Sequence, residues 1–384
     1  MKKLGLLPKL LIGIVLGIVI GTFRIELLTR LLVTFSGIFG SFLGYIIPLL
    51  IIGFVAPGIA ELGGKAGKLL GLTAGIAYLS TVIAGTLAFF SASLILPGII
   101  TQGRETVAEG LAATPYFELL IPPIMGVMAA LVTAFMLGLG MAAIKGDTML
   151  HFMQEFQQII QKVIETIIIP LLPVHIAGIF ARMAYSGEVA ETLAVFGRVF
   201  VLVIGIHIAY IVFQYLIAST ITKVNPFVAL KNMLPAYFTA IGTQSSAATI
   251  PVTVRSTKNN KVTDEVAEFA VPLCATIHLA GSTISLTICA IAVMALEGLS
   301  LNFAQVFPFI LMLGVTMVAA PGVPGGAIMA AVGLLETMLG FTDGQVALMM
   351  ALYIAQDSFG TAANVIGDGA IALVVNKFAR SKEV

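Results

Sequence analysis

The chain has 384 residues, of which 59% are hydrophobic and only 10% carry a charge, and its formal net charge is +1. Soluble domains carry about 25% charged residues, so this composition and a mean hydropathy of +1.08 exclude a water-soluble enzyme and a disordered chain. The small net charge also excludes a nucleic-acid-binding protein. The composition therefore indicates a polytopic membrane protein that contacts the lipid bilayer.

Six charge-poor stretches in the N-terminal part of the chain are predicted membrane helices, because about 20 apolar residues cross the bilayer core. The first stretch is short, and its helix is expected to continue past Arg24. The fifth is extended at its start by an amphipathic segment around Glu155 and Lys162. The stretches are Leu10–Phe23, Leu31–Ala60, Leu69–Gly103, Leu119–Ile144, Thr166–Ala181 and Val199–Thr222.

Two later stretches contain helix-breaking residues and are interpreted as re-entrant hairpins, with ordinary surface loops as the alternative. Asn232–Val254 contains GTQSSAATIP, with its turn at Gln244–Ala247, and Leu299–Leu335 contains AAPGVPGG. Each is followed by a helix with polar residues near its centre, Phe269–Leu296 and then Gly344–Asn376. Two interrupted segments in matching positions indicate a transporter site built from inverted repeats.

The distribution of the 20 Lys and Arg residues predicts the orientation. Most of them fall on one side if the N-terminus is cytoplasmic and the first hairpin enters and leaves by the same face. The positive-inside rule then places both termini in the cytoplasm. The expected fold is an all-α, multi-pass plasma-membrane protein with eight transmembrane helices and two re-entrant helical hairpins.

The last predicted helix carries polar residues on one face. Asp357, Thr361, Asn364 and Asp368 are spaced by 4, 3 and 4 residues, which aligns them along one side of a helix. Polar packing between helices would explain the threonine and the asparagine. It would not explain two aspartates with no Lys or Arg between Gly344 and Asn376, because buried carboxylates need cationic partners.

The preceding helix, VPLCATIHLAGSTISLTICA, is expected to unwind in the middle of the membrane. Pro272, Gly281 and a polar cluster around Thr276 weaken its helical hydrogen bonds, which frees backbone carbonyls for a cation. His278 in this stretch fits two roles, a packed hydrogen-bonding residue and a proton carrier, and both remain open.

These motifs resemble those of the dicarboxylate/amino-acid:cation symporters, the glutamate transporter homologues. SSAATIP resembles the first hairpin tip of that family and GVPGG the second. ATIHLAGS stands where the family has an Asn-Met-Asp-Gly-Thr motif, and QDSFGTAANVIGD stands at its last-helix motif. The likeness covers essentially the whole chain in topology and residues 236–376 closely in motif.

The resemblance implies a homotrimeric elevator-type transporter, in which a transport domain moves substrate and Na⁺ past a static scaffold. It implies no cofactor beyond Na⁺ as the coupling ion. It divides the chain into 1–65 (scaffold helices 1–2), 66–112 (transport-domain helix 3), 113–222 (scaffold helices 4–5 and transport-domain helix 6) and 223–384 (the transport core).

The resemblance also implies the ligands. Asp357 would bind the substrate ammonium, and Asn364 with the hairpin-tip backbones would bind the carboxylate. One Na⁺ site would comprise Asp368, Asn364 and the carbonyls of Cys274 and His278. A second would comprise Thr276 and the hairpin carbonyls of Met317, Val318 and Ala320. The implied substrate residues are Ser245, Ser246, Ser282, Val323, Gly325, Asp357, Gly360, Thr361 and Asn364.

Three departures from the family pattern affect the expected substrate and ions. Gly360 stands where the acidic-substrate branch has an arginine, so no side chain there pairs with a substrate side-chain carboxylate. Ala280 and His278 replace the aspartate and the asparagine of the motif, so a third Na⁺ site beside Ser80 and Thr81 loses its charged member. Ala280 at the aspartate position, together with the QDS that begins the last-helix motif, resembles the serine/threonine:sodium symporter branch.

The expected function is Na⁺-coupled uptake of a neutral amino acid such as serine, threonine or alanine. The alternative is a symporter of the same family that is coupled to H⁺ or carries an acidic amino acid or dicarboxylate. Two remote alternatives are an ion channel and an intramembrane hydrolase that uses His278 and Ser282, which are four residues apart.

Overall fold

The computed structural model describes residues 6–64, 68–98, 113–144, 147–187, 189–320 and 325–380, and within these ranges all regular secondary structure is helical. A π-helical turn, Ile164–Ile168, joins α5 to α6 in one continuous rod, and short 3₁₀ turns follow α3 and α12. The helices are α1 (Leu6–Thr22), α2 (Glu26–Gly64), α3 (Lys68–Ile95), α4 (Val127–Ile144), α5 (Asp147–Val163), α6 (Ile169–Ser186), α7 (Val189–Thr222), α8 (Pro226–Thr243), α9 (Ser246–Asn259), α10 (Asp264–Ile277), α11 (Ala280–Leu296), α12 (Phe303–Thr316), α13 (Gly326–Leu339) and α14 (Asp343–Arg380).

Several of these helices are long enough to cross a membrane. Among the described residues, six helical stretches are both long and apolar enough, and four shorter apolar helices lie beside them. Two of the shorter helices belong to α1 and α4, and the other two are α12 and α13. The described part of the chain is therefore all-helical and has the apolar helices of a membrane protein, while the number of spans stays a prediction.

Two boundaries differ from the expected ones. The first helix does not continue past Arg24; it ends at Thr22, and Arg24 adopts a left-handed conformation (φ 50°) in the turn to α2. The fourth helix begins at Val127 and not at Leu119. Pro122 and Pro123 account for this difference, because proline lacks the amide proton and disfavours a helix in the residue before it.

The glycines of α1 allow it to lie against the backbone of α6. A Cβ on any of three α1 glycines, spaced by four residues, would overlap a carbonyl oxygen of α6. This is the small-residue packing that brings membrane helices close together. The facing pairs are Gly13 with Pro173, Gly17 with Ala177, and Gly21 with Ala181.

We expect Gly17→Leu to separate α1 from α6 and to lower the stability of the purified protein by about 1–3 kcal/mol, the usual cost of overpacking. Gly205→Leu is the matched control, because a Cβ on Gly205 in α7 meets no atom within 4 Å. Thermal unfolding in detergent measures both variants. Equal melting temperatures for the two variants would contradict this packing.

The helices pack as two groups. One group contains α1, α2, α4, α5 and α6, with α1 against α6 and α2 against α4. In the other, α11 and α14 lie at the centre, surrounded by α3, α7, α8, α9 and α10. The two central helices carry the polar residues predicted from the sequence, and almost all of their side chains are buried.

Candidate functional site

The chain between α10 and α11 is unwound, as predicted. His278 and Leu279 are non-helical (φ −115°, ψ 95° and φ −118°, ψ 47°), and α11 begins directly after them. A Cβ on Gly281 would collide with the carbonyl oxygen of Gly360, so only glycine lets α11 approach α14 at this point. The unwound residues therefore lie directly against the polar face of α14.

Asn364 bridges the break in the helix. Its Oδ1 accepts hydrogen bonds from the backbone N–H groups of Gly281 (2.7 Å) and Ser282 (3.3 Å), and its Nδ2 donates to the Ser282 hydroxyl (3.1 Å). In a continuous helix the Ser282 N–H would bond to the His278 carbonyl. Because it bonds to Asn364, that carbonyl is left for another partner.

Asp357 lies under the second hairpin tip. Its Oδ2 accepts from the backbone N–H of Gly325 (2.7 Å), and its Oδ1 accepts from the Tyr353 hydroxyl (2.8 Å). Gly325 precedes α13 in a left-handed conformation (φ 78°) that favours glycine. An ionised carboxylate has about four acceptor positions, so these two bonds leave room for an ammonium group. Val323, also predicted here, lies outside the described residues.

Asp368 and His278 form a fully buried pair. His278 Nδ1 lies 2.9 Å from Asp368 Oδ1, and its Nε2 lies 3.0 Å from the Ser80 hydroxyl. Ser80 also accepts from Gln214 Nε2 (2.9 Å). A neutral imidazole with its proton on Nδ1 satisfies these partners, since Ser80 then donates to Nε2. The sequence predicts that Ser80 and Thr81 lack the charged partner that the family has beside them. In the structure His278 is a partner of Ser80, and the Thr81 hydroxyl donates to the Ala77 carbonyl.

Two buried acceptor atoms near this pair have no hydrogen-bond donor among the described residues. They are Oδ2 of Asp368 and Oε1 of Gln214. Asp368 follows Gly367 in the chain. Gln214 lies beside Gly367 in space, because a Cβ added to this glycine would lie 3.0 Å from Gln214 Oε1. Buried oxygens without donors are costly, and a cation is a partner that would satisfy them.

Several residues of the first predicted Na⁺ site lie close together in the structure, while the site itself stays a prediction. Asp368 and Asn364 lie one turn apart on α14. The unwound His278 contacts Asp368, and the N–H of Gly281, three residues later, bonds to Asn364. The Cys274 carbonyl accepts the His278 N–H (2.8 Å), which leaves its second lone pair. These oxygens fit a hard cation such as Na⁺.

The second predicted Na⁺ site is less complete. The 3₁₀ turn Met317–Ala319 packs against α10, so the turn and Thr276 belong to neighbouring elements. Thr276 itself is exposed, and its hydroxyl donates to the Leu273 carbonyl (2.7 Å). Met317 is buried, Val318 is partly buried, and Ala320 is extended after the turn.

The first hairpin tip has the predicted helix start. Ser245 caps α9 by accepting from the Ala248 N–H (3.2 Å), and Ser246 is the first helical residue. Gln244 makes the turn in a left-handed conformation (φ 54°). Both arms, α8 and α9, pack against α14, so the tip belongs to the same helix group as the polar face.

Three polar residues of α7 support the site and were not predicted from the sequence. Besides Gln214, the Tyr210 hydroxyl donates to the Ser80 carbonyl (2.6 Å), and His207 Nε2 lies 2.9 Å from the Gly281 carbonyl oxygen. Their spacing of 3 and 4 residues, in the apolar middle of α7, was the available signal.

The pairing of His278 with Ser282, on which the remote hydrolase alternative depends, is not present in the structure. Ser282 bonds to Asn364, and the hydroxyl at His278 Nε2 belongs to Ser80. Ser80, His278 and Asp368 lie in the order of a hydrolase triad. The Ser80 hydroxyl is nevertheless also bonded to Gln214 and lies 2.9 Å from the Tyr210 hydroxyl, so it is a packed structural group.

The sequence matches a family of known proteins. Residues 6–378 match the model of the sodium:dicarboxylate symporter family. The chain is 29% identical over 345 residues to the serine/threonine transporter SstT of Streptococcus suis, across 85% of this chain and 94% of that protein.

Two animal proteins are also similar. The chain is 31% identical over 206 residues to excitatory amino acid transporter 1 of Ambystoma tigrinum, across 53% of this chain and 37% of that protein. It is 27% identical over 263 residues to an excitatory amino acid transporter of Caenorhabditis elegans, across 67% of this chain and 52% of that protein. The chain thus covers between about a third and about half of the length of these two relatives.

Proposed function

Because the chain belongs to the sodium:dicarboxylate symporter family, whose members are secondary transporters and not enzymes, we propose that it takes up a small neutral amino acid together with Na⁺. Serine, threonine and alanine are the candidate substrates. The name of the Streptococcus suis relative supports this substrate class.

The observation that carries the proposal is the buried face of α14. Asp357 is 5% exposed and has no ion-pair partner among the described residues, so it suits a substrate ammonium. Gly360 lies between Asp357 and Asn364 on this face and brings no cation for an acidic side chain. A zwitterion with a neutral side chain is the amino acid that matches these groups.

Asp368 is the proposed Na⁺ ligand, with Asn364 and the carbonyls of Cys274 and His278 around it. Na⁺ would supply the positive charge that the unpartnered Asp368 Oδ2 lacks in the described part of the chain. Thr276 with the carbonyls of Met317, Val318 and Ala320 is the second proposed site. His278 keeps its pairing with Asp368 Oδ1 in this scheme.

We also propose the elevator arrangement for this chain. The group of α1, α2, α4, α5 and α6 would be the scaffold of a homotrimer, and the group around α11 and α14 would move. Eight spans follow if α1 and α4 cross the membrane in addition to the six longer stretches. The hairpins α8–α9 and α12–α13 would be re-entrant, with both termini on the cytoplasmic side of the plasma membrane.

The exposure of the two hairpins supports an inward-facing arrangement. The first half of α13 is buried, and α13 packs against α2 and α4. At the other tip, Gly242, Thr243, Ala247 and Ala248 are exposed. If the first hairpin opens to the cytoplasm, the site in this structure is closed on the outside.

Uptake into proteoliposomes tests the proposal. We expect a Na⁺ gradient to drive uptake of labelled serine, unlabelled threonine and alanine to compete, and choline to abolish uptake. Stronger competition by aspartate or glutamate would favour the acidic alternative. Uptake in choline that increases at acidic pH would favour coupling to H⁺.

A further inference from the structure

His207 is a buried side chain that belongs neither to the proposed substrate site nor to the proposed Na⁺ sites. It lies on α7 and is 3% exposed. Its Nε2 lies 2.9 Å from the Gly281 carbonyl oxygen and 3.2 Å from the Ser285 hydroxyl oxygen. Both partners lie in the first two turns of α11, so one ring nitrogen of α7 holds the start of this helix.

The protonation of this ring follows from its partners. A carbonyl oxygen only accepts, so Nε2 carries the proton and donates it. Ser285 is then also an acceptor from His207, and its own hydroxyl proton has no acceptor among the described residues. His207 Nδ1 is buried and without a partner in the same part of the chain. His207 therefore fixes the position of the Ser285 hydroxyl, whose own proton can donate a hydrogen bond to another group.

Ser285 lies next to Gly360 in the packing of α11 against α14. A Cβ built on Gly360 would lie 3.5 Å from the Ser285 hydroxyl oxygen and 3.5 Å from the Ser282 amide nitrogen. Gly360 is three residues after Asp357 and four before Asn364, so it lies between them on the same face. In the proposed binding mode, with the ammonium at Asp357 and the carboxylate at Asn364, the side chain of the amino acid would lie nearest to Gly360.

We propose that Ser285, held by His207, is a specificity-determining residue that donates a hydrogen bond to the side-chain hydroxyl of serine or threonine. His207 is the positioning residue, because it touches Ser285 and the Gly281 carbonyl and not the substrate. This inference rests on the proposed function. The inference adds to the proposed function the side chain that distinguishes serine from alanine.

Serine and alanine uptake by the full-length chain in proteoliposomes test this role. The ratio of kcat/KM for serine to that for alanine is expected to fall about fivefold in Ser285→Ala, the effect of one neutral hydrogen bond. Ser285→Cys, which keeps the volume and weakens the donor, is expected to change the ratio in the same direction. Thr287→Val is the matched control on α11, and its ratio should equal that of the wild type.

The positioning role has its own test. His207→Leu removes the donor and is expected to lower the serine-to-alanine ratio as much as Ser285→Ala, with no further loss in the double variant. His207→Gln keeps an N–H donor and is expected to restore most of the ratio. A purely structural role for His207 would lower the uptake of both substrates equally, which would overturn the positioning role.

The outcomes separate this inference from the proposed function. A wild-type chain that takes up serine and alanine, with an unchanged ratio in Ser285→Ala and Ser285→Cys, would overturn the inference alone. A wild-type ratio near one would overturn it as well. A chain that takes up no neutral amino acid would overturn the proposed function and this inference with it.

Discussion

Asp368→Asn is expected to reduce the apparent Na⁺ affinity at least a hundredfold. Breaking a buried charge pair by removing one partner costs about 3–5 kcal/mol, and 1.4 kcal/mol corresponds to a factor of ten. The asparagine oxygen can still accept from His278, but an amide nitrogen then stands where Oδ2 would face the proposed Na⁺. The pairing within the chain is retained while the cation loses its charged ligand.

Two measurements check this expectation. Na⁺ titration of the melting temperature reports ion binding without transport, and Na⁺-driven serine uptake reports coupling. Asp343→Asn is the matched control, because Asp343 is an exposed carboxylate in the first turn of the same helix. An Asp368→Asn protein with wild-type Na⁺ titration and wild-type uptake would show that Asp368 is not a Na⁺ ligand.

The polar face of α14 and the break before α11 could be predicted from local sequence. The 4-3-4 spacing of Asp357, Thr361, Asn364 and Asp368 defines one helical face wherever the helix packs. The break at His278 follows from a glycine and polar residues in an apolar helix. Both features depend on residues close together in the chain, so a periodic pattern reveals them.

The partners across helices could not be predicted in the same way. His278 and Asp368 are 90 residues apart, and His207 and Gly281 are 74 apart. Whether such residues meet depends on the rotation of each helix about its axis, and membrane helices are apolar on most faces. The support of the site by α7 therefore became visible only in the packed structure.

The start of α4 shows a different limit. The absence of charges predicts a helix from Leu119, although this stretch contains Pro122 and Pro123. The structure keeps this segment irregular and pairs its backbone with α2, where the Ile121 N–H donates to the Ser41 hydroxyl (3.0 Å). Hydrophobic length predicts burial in a membrane protein, while proline decides where a helix can begin.

The wild-type protein is expected to discriminate against aspartate and glutamate by on the order of a thousandfold relative to serine. Once Asp357 and the hairpin tips pair with the ammonium and the carboxylate, a second carboxylate on the substrate needs its own cation. An unpaired buried charge costs several kcal/mol even after relaxation, which corresponds to this factor. Competition for serine uptake measures the discrimination, and tight aspartate binding by the wild type would contradict it.

Gly360→Arg is expected to shift the preference toward aspartate by one to two orders of magnitude. A Cβ at position 360 makes only ordinary contacts, at 3.5 Å from Ser282 N and Ser285 Oγ, so a side chain can begin there. The guanidinium then supplies the planar, charged donor that pairs with a carboxylate. Gly360→Leu is the matched control, because it occupies the same space without charge and should weaken the binding of serine and aspartate alike. If both variants behave alike toward aspartate, the absence of a cation at residue 360 is not what excludes acidic substrates.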